Sequence, residues 1–304
     1  MSIPKARRPA NQSQLELGGS VRSDDFISSN VPLQLTAVIE SERSWLKLGL
    51  KEVWNYRELL YFLAWRDIRV RYKQTALGAL WAILQPLLGM LVFTLLFTSL
   101  SGVTTGNLPY PLFAYSGLVL WVFFANSVTY SANSLVGNAN LLTKVYFPRI
   151  IIPTAAVAAC VLDFFISCSL LVPLSLWYGV KFSASVLLAP IFVMLTILLA
   201  TGVGLFMAAL CVKYRDVRYA LPFAVQLLMF VSSVITPPSL IPEKFRWLFM
   251  LNPLTGTIEN FRTALFGGSL NWTSLMAATV VTLLVCSGAL IYFRRVEQSF
   301  ADIV

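Results

Sequence analysis

The sequence predicts an all-α polytopic membrane protein with six transmembrane helices, an N-terminal amphipathic interface helix, and a re-entrant helical hairpin between spans 5 and 6. Three observations predict this class. Of the 304 residues, 57% are hydrophobic and only 12% are charged, which is too apolar for an ordinary soluble domain. Several apolar segments are long enough to cross about 30 Å of hydrocarbon. Basic residues collect beside these segments, as the positive-inside rule describes.

The net charge of +9 does not indicate a nucleic-acid-binding protein. The basic residues flank apolar segments and form no basic folded domain, so anionic lipid accounts for them. The four cysteines lie inside apolar runs without metal-ligand spacing, and the chain has no histidine. We therefore predict no metal site, no catalytic residues and no cofactor bound by this chain.

The two ends of the chain are predicted to be cytoplasmic tails. Residues 1–43 are expected to be flexible, because their first part is rich in Ser, Gln, Asn, Gly and Pro and has too little apolar surface to offset the entropy of ordering. No apolar stretch follows its first basic residues, so the pattern does not indicate a secretory signal. Residues 296–304 form the second tail.

Residues 44–74 predict an amphipathic helix on the cytoplasmic surface of the membrane. Arg66, Arg69 and Lys73 recur at helical spacing on one face. After Lys73 the charged residues stop and an apolar run begins. A span that begins beside a basic collar places that collar in the cytoplasm, and this orients the rest of the chain.

Six apolar segments are predicted to span the membrane: about residues 75–100, 111–135, 151–178, 186–212, 221–236 and 272–293. The segment 136–149 between the second and third spans contains Lys144 and Arg149, so it is predicted to be cytoplasmic. Six spans place both termini on that same side. Residues 75–295 then form one transmembrane domain.

The segment 241–268 is predicted to be a re-entrant hairpin. It contains two semi-apolar pieces, broken at Asn252-Pro253, and each is too short to cross the membrane. The hairpin and the other proposed outer segments hold four basic residues, Lys181, Lys244, Arg246 and Arg262. All other basic residues lie on the predicted inner side.

Acidic residues near the membrane are expected to have partners. Asp67 and Arg71 are spaced i, i+4, and Glu259 and Arg262 are spaced i, i+3, so each pair is predicted to interact locally. Asp163 is the only acidic residue within a predicted span. We expect it to face protein or water and to pair with a polar group of a neighbouring helix.

The chain contains no G-x-x-x-x-G-K-S/T motif, so it cannot easily hydrolyse a nucleotide by itself. The stretch Arg71–Pro86 (RYKQTALGALWAILQP) after an amphipathic helix, the loop Asn138–Pro148, the six spans, and a hairpin containing Leu251-Asn-Pro-Leu-Thr together carry a resemblance. The chain resembles the permease subunit of ABC-2-type transporters, most closely the subfamily that exports polysaccharides such as O-antigen and teichoic acid. The resemblance covers about Ser44 to Arg295.

The resemblance implies a non-enzymatic homodimer in the bacterial inner membrane. Two copies of a separate ABC ATPase subunit would hold ATP and Mg, and the substrate would be a lipid-linked polysaccharide. The interface helix and the coupling segment 136–149 would contact the ATPases. The residues expected at that contact are Arg66, Asp67, Arg69, Asn138, Asn140 and Lys144. The alternative interpretation is that the basic residues only anchor the chain to the membrane surface.

Aromatic and small polar side chains alternate along the second span. Rings can contact the apolar faces of a sugar, and amides can reach its hydroxyl groups, so such a span could line a channel for a sugar polymer. The candidate channel-lining residues are Tyr115, Trp121, Phe124, Asn126, Tyr130 and Asn133. The alternative is an interfacial aromatic belt with interhelical hydrogen bonds.

Two other functions compete with polysaccharide export. The first is an ABC-2 permease for a drug, a lipid or another small amphiphile. The second is a membrane-embedded transferase acting on polyprenyl lipids, which would need clustered carboxylates or a histidine at a membrane face. The acidic residues of this sequence are scattered, which favours a transporter.

Overall fold

The computed structural model describes residues 54–73, 75–99, 108–144, 147–236 and 243–297, and the regular structure within these ranges is helical. The predicted tail 1–43, residues 44–53 of the predicted interface helix and most of the predicted C-terminal tail lie outside the described residues. The described helices are α1 (Arg57–Tyr72), α2 (Leu80–Ser99), α3 (Tyr110–Gly137), α4 (Ala139–Lys144), α5 (Ile151–Ser169), α6 (Leu171–Trp177), α7 (Ala189–Lys213), α8 (Val217–Val231), α9 (Glu243–Leu251), α10 (Pro253–Phe266) and α11 (Trp272–Glu297). A 3-10 helix, Ala184–Leu188, leads into α7.

Five segments of the described chain are long and apolar enough to cross a membrane: 80–97, 110–137, 151–177, 184–213 and 272–297. They correspond to five of the six predicted spans. The predicted fifth span overlaps α8, which begins four residues earlier and whose 15 residues are few for a full crossing. The structure therefore supports a polytopic helical membrane protein, and a sixth span remains a prediction.

The first span begins later than predicted. Helix α1, within the predicted interface helix, ends at Tyr72, Lys73 has an extended backbone, and α2 begins only at Leu80. Between them Gly78 has a φ of 48°, a backbone conformation that favours glycine. The two helices are thus joined by an irregular segment and do not form one continuous rod.

The helix α3 lies at the centre of the bundle. It packs against α2, α5, α7 and α10, and most of its side chains are buried. Small residues allow the close contact with α7, where a Cβ on Gly204 would lie only 2.6 Å from the Ser131 hydroxyl of α3. Close backbone approach at small residues is the usual basis of helix packing in membranes.

The helix α2 contains Pro86, which has no N–H group and leaves the Ala82 carbonyl without its helical donor. The Ser167 hydroxyl of α5 donates to this carbonyl at 2.7 Å. It also lies 2.8 Å from the Asp163 carbonyl, so two carbonyls share its proton. This hydrogen bond joins the first span to α5.

A separate apolar cluster lies where α1 meets the predicted coupling segment, residues 136–149. It contains Leu63 and Ala64 of α1, Leu142 of α4, and Phe147 and Ile150 of the loop before α5. Residues of α3, α5, α7 and α11 complete the cluster. Helix α1 and the segment 136–149 therefore lie at the same end of the bundle, in agreement with their prediction on one side of the membrane.

The predicted hairpin region forms α9 and α10, and the predicted break at Asn252-Pro253 is confirmed. The Asn252 side chain accepts a hydrogen bond from the Leu254 N–H at 3.0 Å, which caps α10. Pro253 occupies the first helical position, where a missing N–H removes no helical hydrogen bond. The re-entrant path of the two helices remains a prediction.

Candidate functional site

A cavity of about 220 Å³ lies where α1, α2, α3 and α5 meet. Its walls combine charged, amide and aromatic side chains. They include Arg71, Tyr72, Gln85, Asn126, Tyr130 and Asp163. The end of α1, the first span and the centre of the bundle are thus in contact around one polar space.

The ion pair between Arg71 and Asp163 lies at one side of this cavity. The Tyr72 hydroxyl donates to the second oxygen of the same carboxylate, and the Arg71 guanidinium lies 4.2 Å from the centre of the Tyr130 ring. Burial and the neighbouring carboxylate raise the pKa of Tyr72, so its hydroxyl stays protonated and available as a donor. The prediction that Asp163 has a polar partner on another helix is confirmed.

The predicted pair between Asp67 and Arg71 is wrong. Asp67 accepts from its neighbour Arg66 at 2.8 Å, while the Arg71 side chain turns towards α5. The physical reason is that the Asp163 carboxylate is only 17% exposed, and a carboxylate removed from water needs a cation and hydrogen-bond donors. Asp67 remains near solvent, where an ion pair contributes little.

The six predicted channel residues separate into three groups. Tyr115, Trp121 and Phe124 are buried in the core of the protomer, and the Tyr115 hydroxyl donates to the Ser167 carbonyl at 2.8 Å. Asn126 and Tyr130 line the cavity. The sixth residue, Asn133, is partly buried and its side-chain amide donates to the Thr129 carbonyl at 2.8 Å. A channel role for all six remains a prediction.

The predicted ATPase-contact residues lie on the two elements that share the apolar cluster. Arg66 and Arg69 are exposed on α1, and Arg69 stacks over Trp65 at 5.4 Å. Asn138 follows α3 and donates to the Ser134 carbonyl at 2.8 Å. On α4, Asn140 and Lys144 are exposed.

The structure identifies a candidate surface on α8 that the sequence analysis missed. Tyr219, Phe223, Gln226 and Phe230 recur every three or four residues, and all four side chains are exposed. They form one stripe of rings and an amide, which we call the α8 stripe. The helical spacing was visible in the sequence, but the exposure was not, because an apolar stripe also fits a helix packed in the core.

Glu259 and Arg262 interact electrostatically, as predicted, but Arg262 makes its hydrogen bonds elsewhere and is not exposed on an outer segment. Its guanidinium is buried and donates to the carbonyls of Ser233 at 2.6 Å, Phe113 at 3.1 Å and Val234. A Cβ on Gly117 would meet this guanidinium. The carbonyls after the end of α8 have no helical donors, and a buried arginine with its rigid fork of donors supplies them.

Comparison with protein families matches residues 58–266 to the ABC-2 type transporter family. The chain is 31% identical over 257 residues to the O-antigen export system permease protein RfbA of Myxococcus xanthus, covering 83% of this chain and 98% of that protein. It is 29% identical over 248 residues to the RfbA permease protein of Klebsiella pneumoniae, covering 81% and 95%. The polysialic acid transport protein KpsM of Escherichia coli is 28% identical over 243 residues, covering 76% and 91%. The resemblance that the sequence carries is confirmed, and the chain belongs to the ABC-2 type transporter family.

Proposed function

We propose that this chain is the transmembrane permease subunit of an ATP-driven exporter that moves a lipid-linked polysaccharide across the bacterial inner membrane. Members of the ABC-2 family are membrane subunits of transporters. One observation carries the substrate class: relatives named for O-antigen export align over 95% and 98% of their own lengths. An alignment of this extent covers the whole permease and supports a shared substrate class.

The α8 stripe supports a polymer path between two copies of the chain. Gln226 is exposed within an apolar helix, and an amide facing hydrocarbon would lose its hydrogen bonds. Gln226 can keep its hydrogen bonds if its side chain faces water or a second protomer. The first span α2 is also largely exposed, and both helices pack against α3. We therefore infer a homodimer in which α2 and α8 border the translocation path.

The coupling surface is formed by α1 and α4. Both elements belong to the apolar cluster at one end of the bundle, and both present exposed polar side chains. We propose that two ATPase subunits bind this surface and hold the ATP and Mg. Lys and Arg residues gather at this end, so we assign it to the cytoplasm together with both termini.

Purification of the tagged chain in mild detergent tests this function. We expect a separate ABC ATPase to co-purify in stoichiometric amount. We also expect the complex, reconstituted in vesicles, to export lipid-linked polysaccharide when ATP is supplied. The chain alone should hydrolyse no ATP.

Two outcomes would contradict the proposal. Stoichiometric ATP hydrolysis by the chain alone would exclude a permease that depends on a partner. Unchanged surface glycan in cells lacking the gene, together with altered drug sensitivity, would instead favour a permease for a small amphiphile.

A further inference from the structure

One turn of α5 connects three other elements. Its Asp163 carboxylate binds Arg71 and Tyr72 of α1. Four residues later, the Ser167 hydroxyl donates to the Ala82 carbonyl of α2 at 2.7 Å, and the Ser167 carbonyl accepts from Tyr115 of α3. This turn is therefore the place where displacement of α1 would reach the centre of the bundle.

The interface helix is attached to α5 at two places along its length. Near its middle, Leu63 and Ala64 pack in the apolar cluster that also contains Ile151 at the start of α5. At its last turn, Arg71 and Tyr72 bind Asp163, and we call these three residues the clasp. Two separated attachments resist pivoting of a helix, so we expect α1 and α5 to move together.

The covalent connection from α1 to the first span is less rigid than the attachment of α1 to α5. Lys73 is extended, residues 76–79 form bends and turns, and Gly78 has a φ of 48°. An irregular segment of this kind absorbs changes in backbone angle and acts as a hinge. The clasp is thus the stiffer of the two connections.

The charges of the clasp are balanced and enclosed. The side chains of Arg71 and Asp163 are 20% and 17% exposed. The Tyr130 ring covers the guanidinium at 4.2 Å, and Cys160 lies 3.7 and 3.8 Å from its two terminal nitrogens. A partly buried, charge-assisted pair is stronger and more directional than an exposed one.

We propose that the clasp of Arg71, Tyr72 and Asp163 transmits the displacement of the interface helix to α5 when the partner ATPase closes, while residues 75–79 serve as the hinge to the first span. This inference rests on the proposed function. It assigns to Asp163 a positioning role in coupling and no contact with the substrate.

Asp163→Asn in the complete exporter tests the clasp. Asn keeps the size of the side chain but removes the charge, so α1 and the partner ATPase should still assemble and hydrolyse ATP. We expect the amount of polysaccharide exported per ATP to fall about tenfold, the effect of losing one charge-assisted hydrogen-bond partner. Asp216→Asn is the matched control, because Asp216 is exposed and precedes α8, away from the clasp.

A double-mutant cycle separates coupling from general damage. Arg71→Gln should reproduce the loss, Arg71→Lys should retain part of the export per ATP, and Arg71→Gln with Asp163→Asn should lose no more than either single variant. Additive losses would overturn the proposal. Wild-type export per ATP in Asp163→Asn would overturn it, as would a parallel loss of assembly and ATP hydrolysis.

Distances between spin labels on α1, α2 and α5 test the role of the clasp without measuring export. Spin labels are placed at Val70, Leu88 and Phe165, which are exposed on α1, α2 and α5, in a complex whose four native cysteines are replaced. On ATP binding, the distance between positions 70 and 165 should stay constant and the distance between 70 and 88 should change. In Asp163→Asn the 70–165 distribution should broaden. The reverse pattern in the wild-type background would overturn the clasp, whereas absence of polysaccharide export by the wild-type complex would overturn only the proposed function.

Discussion

Arg262 shows how a single side chain can stabilise an irregular part of a membrane bundle. The chain leaves helical structure after α8, and the carbonyls of Ser233 and Val234 then accept from the Arg262 guanidinium of α10. The same group lies 3.7 Å from the centre of the Phe113 ring. Gly117 allows this approach, since any side chain there would meet the guanidinium.

Arg262→Gln is expected to lower the free energy of unfolding by about 2–4 kcal/mol, because buried carbonyls lose their donors. Gly117→Ala should have an effect in the same direction, since the new methyl group displaces the guanidinium. Thermal unfolding of the purified chain in detergent measures both. Lys181→Gln is the control, since Lys181 is exposed. If Arg262→Gln and Lys181→Gln unfold at the same temperature, the hydrogen bonds of Arg262 do not stabilise the fold.

At the scale of the helices, Pro86 and Ser167 depend on each other. The proline removes one helical donor from α2, and the serine of α5 replaces it with a hydroxyl. The carbonyl that Pro86 leaves without a helical donor thus becomes the acceptor of the hydrogen bond between α2 and α5.

Ser167→Ala should destabilise the chain by about 1–2 kcal/mol, because the Ala82 carbonyl is left without a donor. The loss should shrink in a Pro86→Ala background, where the restored N–H at position 86 can bond to that carbonyl. Ser169→Ala is the control, since Ser169 is exposed and its hydroxyl donates within its own helix. Equal losses in the two backgrounds, measured by thermal unfolding, would show that the serine and the proline act independently.

At the same scale, the exposed rings of the α8 stripe are predicted to contact the exported polysaccharide. Phe223→Ala and Phe230→Ala should each reduce polysaccharide export about threefold to tenfold, corresponding to about 0.5–1.5 kcal/mol for a ring contact. Assembly with the ATPase should be unchanged. Leu284→Ala on α11 is the control, because it also removes an exposed apolar side chain. Export that responds equally to all three substitutions would argue against a path along α8.

For the whole molecule, the number of membrane crossings depends on α8. The five long apolar helices need a sixth crossing if both termini are to lie on one side. Lys213 precedes α8 and Lys244 follows it in α9, and both are exposed.

Labelling of intact cells with a membrane-impermeant thiol reagent tests the number of membrane crossings. In a background with the native cysteines replaced, Lys244→Cys should be labelled and Lys213→Cys should not, because six spans put these positions on opposite sides. Lys144→Cys and Lys181→Cys serve as the inner and outer reference positions. Lys213→Cys and Lys244→Cys reacting alike would show that the chain between them does not cross.

The fold class and the family could be predicted because both depend on local patterns. An apolar run of span length and a basic collar are properties of neighbouring residues. The break at Asn252-Pro253 is likewise a local capping signal. The same local reasoning predicted the wrong partners for Asp67 and Arg71, and it missed the carbonyls that accept from Arg262.

The sequence by itself determined that this chain is a helical membrane protein of a transporter family, and that Asp163 needs a polar partner. Only the tertiary structure decided that the partners are Arg71 and Tyr72, and that Tyr115, Trp121 and Phe124 are buried while the α8 stripe is exposed. The physical reason is that hydrophobicity acts through the solvent around each segment, whereas a hydrogen bond or ion pair needs two groups at a fixed distance. Side chains from distant parts of the sequence reach that distance only when the helices have packed.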